Sequence, residues 1–420
     1  MKKTRSSGAG VIASRRRQPW LAAASLATTA SLVLVGCNAD GTTSDQTPSD
    51  GTGEPTATTG IGTPISELPT ERYVESDEVG EVPAGLPDRV AFANLGPAEV
   101  FTAWGDGLKS TAESLGLEFI TASAEFDPAT NVDQMRSFIT RGIAAMFVID
   151  QDVPSQRPVV CEAMQTGAAV FTVSFGPSTT QLMADQYATG KAAAEAMVQY
   201  INENFDGEGN VLLFNQDNKE GIRPRAQAVR DVVETADGIN IVVDQLTQEE
   251  TQEWGFEAMN TALQSNPEIN AVIGPDDAVL GALAALEAAD ADQSEYVLTG
   301  INGSEQALDA VSDPDSAFRT TVAYGLAPVG VIPARYSKFW LEGRAIPQVI
   351  IFTPTVLSSA GAVEEFRADM ADPVSIIGSP KQEKYFTMYG SISYETRGAY
   401  YNGTGVTPHG DDVDACALSE

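Results

Sequence analysis

Histidine is almost absent from this chain: of 420 residues only His409 carries an imidazole, close to the C-terminus. No Ser-His-Asp triad can be assembled elsewhere along the sequence. Cysteine is scarce as well. Cys37, Cys161 and Cys416 are the three present, and with one histidine they lack the short paired spacings of a zinc site. Basic residues are heavily outnumbered, 25 Lys and Arg against 58 Asp and Glu, for a formal net charge of −33. Nucleic-acid binding depends on basic surface, so this balance argues against it. There is no Gly-x-x-x-x-Gly-Lys-Ser/Thr phosphate loop. Beyond residue 36 no long apolar run follows, so nothing downstream reads as a membrane span.

What is present begins with an export signal. Lys2, Lys3, Arg5 and Arg15-Arg16-Arg17 supply positive charge without an intervening acid, and Trp20 to Val35 is apolar but short for a span of about 20 residues. The hydrophobic residues expected just after a twin-arginine motif are missing, which favours the general secretory route. Leu34-Val35-Gly36-Cys37 resembles the lipobox of bacterial lipoproteins. That resemblance implies a signal over residues 1–36, lipid on Cys37, and a place on the extracytoplasmic face of the bacterial cell membrane. Residues 37–87, rich in Thr, Gly, Ser, Asp and Pro and then in acids, read as a disordered tether, because so little apolar surface cannot offset ordering entropy. The remaining Cys161 and Cys416 would sit in an oxidising compartment. Their even number suggests one bridge pinning the C-terminal tail to the first lobe, with two independent thiols as the alternative.

From Arg89 onward, short apolar runs alternate with segments of helical period. Strand-like runs fall at Arg89–Asn94, Leu117–Ala122, Ala145–Asp150 and Ala169–Phe175. After a helix from about Ala188 the alternation restarts with Asn210–Asn215, Asn240–Asp244, Ala271–Gly274, Tyr296–Ile301 and Arg319–Ala323, then closes with Gln348–Phe352. Such alternation predicts an α/β fold with parallel sheets covered by helices on both faces, here two doubly wound lobes. The predicted partition is lobe 1 at 88–184 and 325–347, lobe 2 at 185–324 and 348–358, and a C-terminal extension at 359–420. Its aromatic stretch, Tyr385 to Tyr401, is expected to pack across the hinge.

In doubly wound sheets ligands bind at the carboxyl ends of the strands. Those ends are repeatedly polar here: Asp150, Ser174, Asn215, Asp276 and Asn302, with Tyr324 after Thr321-Val322-Ala323 and Arg225 in the first turn of a helix. Any one of them could be a cap or turn residue. Recurring at successive strand ends, they suit a polyhydroxylated ligand, since planar carboxylate, amide and guanidinium groups can pair with vicinal hydroxyls. Phe101, Trp104 and Phe175 are the candidates for stacking on a sugar's C–H face.

Several motifs carry a resemblance over about residues 89–358. Ala184-Asp185-Gln186-Tyr187-Ala188-Thr189-Gly190, Gly274-Pro275-Asp276-Asp277-Ala278, Gly300-Ile301-Asn302-Gly303 and Thr321-Val322-Ala323-Tyr324 are similar to segments of the type 1 periplasmic sugar-binding proteins, the ribose-binding-like receptors of ABC importers. In that comparison Asp276 stands where the family has a ligand-binding Asn, Asn302 where it has an Asp, and Tyr324 where it has a Gln. Arg225 falls on a ligand-contacting Arg. The usual Asp-Arg after the fourth strand is replaced by Ser174 and Phe175, and the Asn-Pro-Phe-Phe opening by Ala98-Glu99-Val100-Phe101. The resemblance implies a multi-strand hinge and a monomer without cofactor or metal. It would bind a small polar ligand, expected to be a sugar, at Phe101, Trp104, Asp150, Ser174, Phe175, Arg225, Asp276, Asn302 and Tyr324, and pass it to a membrane ABC permease. A ligand sensor presenting to a membrane receptor or kinase is the alternative, with a glycoside-active enzyme behind it.

Overall fold

The computed structural model describes residues 63–403, apart from Glu220, Pro267 and the side chain of Glu99, together with Cys416 and Leu418. The signal and Cys37 lie outside the described residues. The first lobe begins β1 (Arg89–Asn94), α1 (Glu99–Ser114), β2 (Glu118–Ser123), α2 (Pro128–Arg141), β3 (Ala145–Ile149), α3 (Val153–Gln165), β4 (Ala169–Val173) and β5 (Thr180–Ala184). The second lobe runs α4 (Gln186–Asn204), β6 (Gly209–Asn215), α5 (Arg223–Glu234), β7 (Ile239–Leu246), α6 (Gln252–Ser265), β8 (Ala271–Pro275), α7 (Asp276–Ala288), β9 (Val297–Asn302), α8 (Glu305–Ser312) and β10 (Phe318–Tyr324). The remainder is α9 (Ala327–Leu341), β11 (Val349–Phe352), β12 (Pro354–Leu357), α10 (Ala360–Ala371), α11 (Gln382–Tyr385) and β13 (Phe386–Tyr389).

Among the described residues, one sheet has the order β13-β11-β5-β4-β3-β1-β2 and the other β12-β10-β9-β8-β6-β7. Both are parallel except at one edge, where β13 runs against β11 and β12 against β10. The central strands are continuous apolar runs because helices cover both faces: every residue of β3 and β8 is buried. The crossings fix where the ligand-facing ends lie. Ala184 at the end of β5 leads straight into α4 of the other lobe, and Tyr324 at the end of β10 leads back to α9, which packs on α1. The carboxyl ends of both sheets therefore open onto the same interlobe gap.

Three expectations are corrected. Val349–Phe352, predicted in the second lobe, pairs in parallel with β5 and belongs to the first sheet. The chain then changes sheets at Thr353, and β12 pairs with β10. A strand at a crossing is apolar in either sheet, so periodicity does not say which one it joins. Strand β5 itself went unread, because its first residues, Thr180 and Gln181, are polar although fully buried. Residues 63–87 are not a free tether. Ile65 bridges to Tyr401 and Arg72 to Tyr389. The Tyr73 hydroxyl donates to Ala345 O at 2.8 Å, and Gly80 N to Gly343 O at 2.9 Å. Arg335 of α9 grips the Glu75 carboxylate through Nε and Nη2 at 2.8–3.1 Å. This segment holds on by backbone pairing and a forked ion pair, neither of which its composition reveals.

The C-terminal extension is built into the same frame. β13 extends the first sheet, Cys416 is disulfide-bonded to Cys161 of α3 with Cα atoms 5.3 Å apart, and Gln348 Nε2 donates to Ala399 O at 2.6 Å. Tyr385 reaches the hinge: its ring lies against Gly325, and its carbonyl accepts from Thr353 N at 2.8 Å.

Candidate functional site

The second lobe's strand ends build the polar half of the gap. Arg225 projects from the first turn of α5. α4 can lie close beneath that turn only because residue 190 is glycine: a Cβ there would come within 2.0 Å of Arg225 O. The guanidinium is held on two sides, Nε donating to Gln186 Oε1 at 2.5 Å and Nη1 to Asn302 Oδ1 at 3.0 Å. It also lies 6.0 Å from the centroid of the Tyr324 ring. Burial pulls its pKa below the ordinary arginine value, while Tyr324 and Asp276 act in the opposite direction. Asn302 is exposed and has a φ of 132°, a conformation that costs a non-glycine residue about 1–3 kcal/mol and is kept only where the surroundings impose it.

Asp276 supplies that constraint. Its carboxylate accepts from Ser304 N at 2.7 Å and from Thr321 Oγ1 at 2.8 Å, fastening the turn that follows Asn302. It is 1 % exposed, and burial raises its pKa to about 6 despite those bonds. The expected ligand contact at Asp276 is thus corrected: one oxygen is taken by the β9–α8 turn at Ser304 N and the other by Thr321 of β10. Tyr324 is also buried, its hydroxyl bonded to Thr189 Oγ1 and, at 3.4 Å, to Asp185 O. Its ring lies beneath the Arg225 guanidinium.

The first lobe departs further from expectation. Trp104 is buried, and its indole N–H donates to Leu326 O at 3.1 Å, which ties α1 to the hinge. Phe175 is buried in the core, its carbonyl accepting from Thr172 Oγ1. Neither ring is available for stacking. Phe101 is half-buried against Trp104, centroids 5.7 Å apart. Asp150 and Ser174 do stand exposed at the ends of β3 and β4. Surrounding protein pushes the Asp150 carboxyl above its ordinary value, and Ser174 is turned out by a φ of 65°.

Two groups escaped the sequence reading. Gln186 orients Arg225, and its signal was its position beside Asp185, the residue that caps α4 by accepting from Ala188 N at 2.9 Å. Phe126, after β2, is 51 % exposed, and nothing in its local sequence marks it out. Among the described residues no cluster of His, Cys, Asp and Glu is arranged to hold a metal ion.

Comparison with known proteins agrees with this architecture. The family described as periplasmic binding protein domain matches residues 90–330, more than half of the chain. The D-apiose import binding protein of Actinobacillus succinogenes is 28% identical over 221 residues, covering 50% of this chain and 68% of that protein. The xylitol-binding protein of Mycolicibacterium smegmatis is 25% identical over 212 residues, 50% of this chain and 60% of that one. Among solved structures, a periplasmic ribose ABC transporter protein from Conexibacter woesei superposes with a TM-score of 0.59 at 21% identity, covering 69% of this chain and 97% of that one.

Proposed function

This chain belongs to the periplasmic binding protein family, as a type 1 sugar-binding protein and not an enzyme, and on that premise we propose that it captures one small sugar or sugar alcohol between its lobes and delivers it to an ABC permease. Capture occurs outside the cytoplasm, with lipid on Cys37 keeping the protein beside the membrane. The observation that carries the ligand class is the Arg225–Asn302 pair: a guanidinium from the first turn of α5 and an amide at the end of β9, bonded to each other, with the guanidinium also held by Gln186. Such pre-oriented donors and acceptors suit vicinal hydroxyls and lose little entropy on binding. Asp150 and Ser174 supply polar groups from the other wall. Ligand bridging both walls stabilises the closed arrangement over the open one, and the closed form is what the permease receives.

The test is calorimetric titration of the protein with D-ribose, D-apiose and xylitol. At least one should bind, and Arg225→Ala should weaken it at least 100-fold, because two hydrogen bonds to a charged group are removed. Unchanged binding in Arg225→Ala would remove the site from this gap. The anchor is tested separately: Cys37→Ala should move the protein from the membrane fraction to the soluble one.

A further inference from the structure

We propose that Phe126 is the aromatic platform on which the ligand's apolar C–H face rests, an inference that stands on the sugar-binding reading above. The sheet order puts β2 at the edge of the first sheet, next to β1, with β3 on the far side of β1. The loop after β2 nevertheless folds inward across these strand ends. Phe126 N donates to Leu95 O, just past β1, at 2.7 Å, and Gln151 Nε2, just past β3, donates to Phe126 O at 2.6 Å. The ring lies over Gly96, where a Cβ would meet its atoms at 2.5–2.8 Å, and its centroid is 6.4 Å from that of Phe101. Phe126 therefore sits among the carboxyl ends of β1, β2 and β3, the wall of the gap that also carries Asp150.

Its exposure is imposed by the backbone. Glu125 and Phe126 are consecutive non-glycine residues in the left-handed region, with φ of 50° and 62°. Ser123 Oγ donates to Glu125 Oε1 at 2.7 Å, Gln134 Nε2 to Ser123 O at 2.9 Å, and Asp127 caps α2 by accepting from Thr130 N at 2.7 Å. Paired strain of this kind persists where surrounding contacts over-determine it, and it clusters at ligand clamps. Here its result is a phenyl ring turned toward solvent and backed by Phe101. A flat apolar face in the first lobe, together with a fixed guanidinium–amide pair in the second, suits recognition of the two unlike sides of a sugar ring. With Trp104 and Phe175 in the core, Phe126 takes the stacking role that those residues were expected to fill.

Phe126→Ala, Phe126→Trp and Gly96→Ala should be titrated with D-ribose, D-apiose and xylitol, alongside Arg225→Ala and the unaltered protein. Phe126→Ala should weaken the sugar that binds by about tenfold or more, the effect of losing an aromatic contact and the surface it covers. Phe126→Trp should bind within about threefold of the unaltered protein. The new indole should also change its fluorescence on ligand addition, which a merely structural residue would not do. Gly96→Ala displaces the ring without deleting it and should weaken binding as well, so the proposal does not depend on one variant folding. If Phe126→Ala and Gly96→Ala bind as the unaltered protein does while Arg225→Ala fails, the platform is wrong and the sugar site stands. If none of the three ligands binds the unaltered protein, the site reading falls and the platform with it.

Discussion

Asp276 shows how a residue can occupy a recognisable position and do different work there. In the resembling family the position carries an Asn, and the structure explains why an Asn would also satisfy it: an amide oxygen could accept from Ser304 N while its NH₂ donates to Thr321 Oγ1. The carboxylate makes the same two bonds at the cost of a buried charge. Its folded pKa, about 6, lies above the 3.8 of an unperturbed Asp. The folded state thus holds the proton more tightly than the unfolded one. This contribution opposes folding above pH 6, and it fades as pH falls through 6 toward 4. At ~1.4 kcal/mol per pKa unit the effect is on the order of 3 kcal/mol. Asp276→Asn is expected to be more stable than the parent at pH 8 by up to that amount and to lack this component of the pH 4–7 slope. Urea melts of both proteins at pH 8, 6 and 4.5 check it, and parallel curves at all three would refute it. The same residue marks a limit of sequence reading. Polar identity was legible at Asn302, at a strand end, and at Arg225, in a helix's first turn, whereas the direction in which Asp276, Trp104 and Phe175 point is decided by tertiary neighbours.

At the scale of elements, most of the alternation was legible because buried parallel strands leave an unbroken apolar signature and helices leave a 3.6-residue one. What escaped lies at the crossings and after residue 353, where short strands join sheet edges and α10 docks between lobes. α10 is fastened to the second lobe by Arg367, which donates to Glu305 Oε2 at 2.6 Å and Asp309 Oδ1 at 2.8 Å. On its other side the buried Asp369 accepts from the Tyr385 hydroxyl and from Lys381 Nζ, each at 2.5 Å. Two attachments that look alike on a contact map should differ in strength. The Arg367 pairs are exposed, so Arg367→Ala should cost under about 1 kcal/mol. Asp369→Ala strands a buried phenol and should cost about 1–3 kcal/mol. Chemical denaturation of the two variants tests this ordering. A double-mutant cycle with Tyr385→Phe should then return a coupling above about 0.5 kcal/mol.

Taken whole, the molecule closes its C-terminal part onto the first lobe three times, through β13, through Gln348 and through the Cys161–Cys416 bridge. The bridge spans 255 residues of sequence, so reduction frees a large loop in the unfolded state. Loss of about 2–4 kcal/mol is expected, read as a lower melting temperature in dithiothreitol and reproduced by Cys161→Ser without reductant. The strongly negative formal charge works at this scale as well. It sets solubility and association behaviour and says nothing of the fold.

The grip of residues 63–87 on the first lobe has a mechanical consequence. Ile65, Arg72, Tyr73, Glu75 and Gly80 each make their backbone or side-chain bond to Tyr401, Tyr389, Ala345, Arg335 or Gly343, and all of these partners belong to the first lobe or to the extension built onto it. On the proposed hinge-closing function, a pull along the upstream chain falls on that lobe as a mooring line falls on the hull, and the second lobe would swing without carrying the load. Opening and closing would then proceed under tension, with the lobe that carries Arg225 as the moving one.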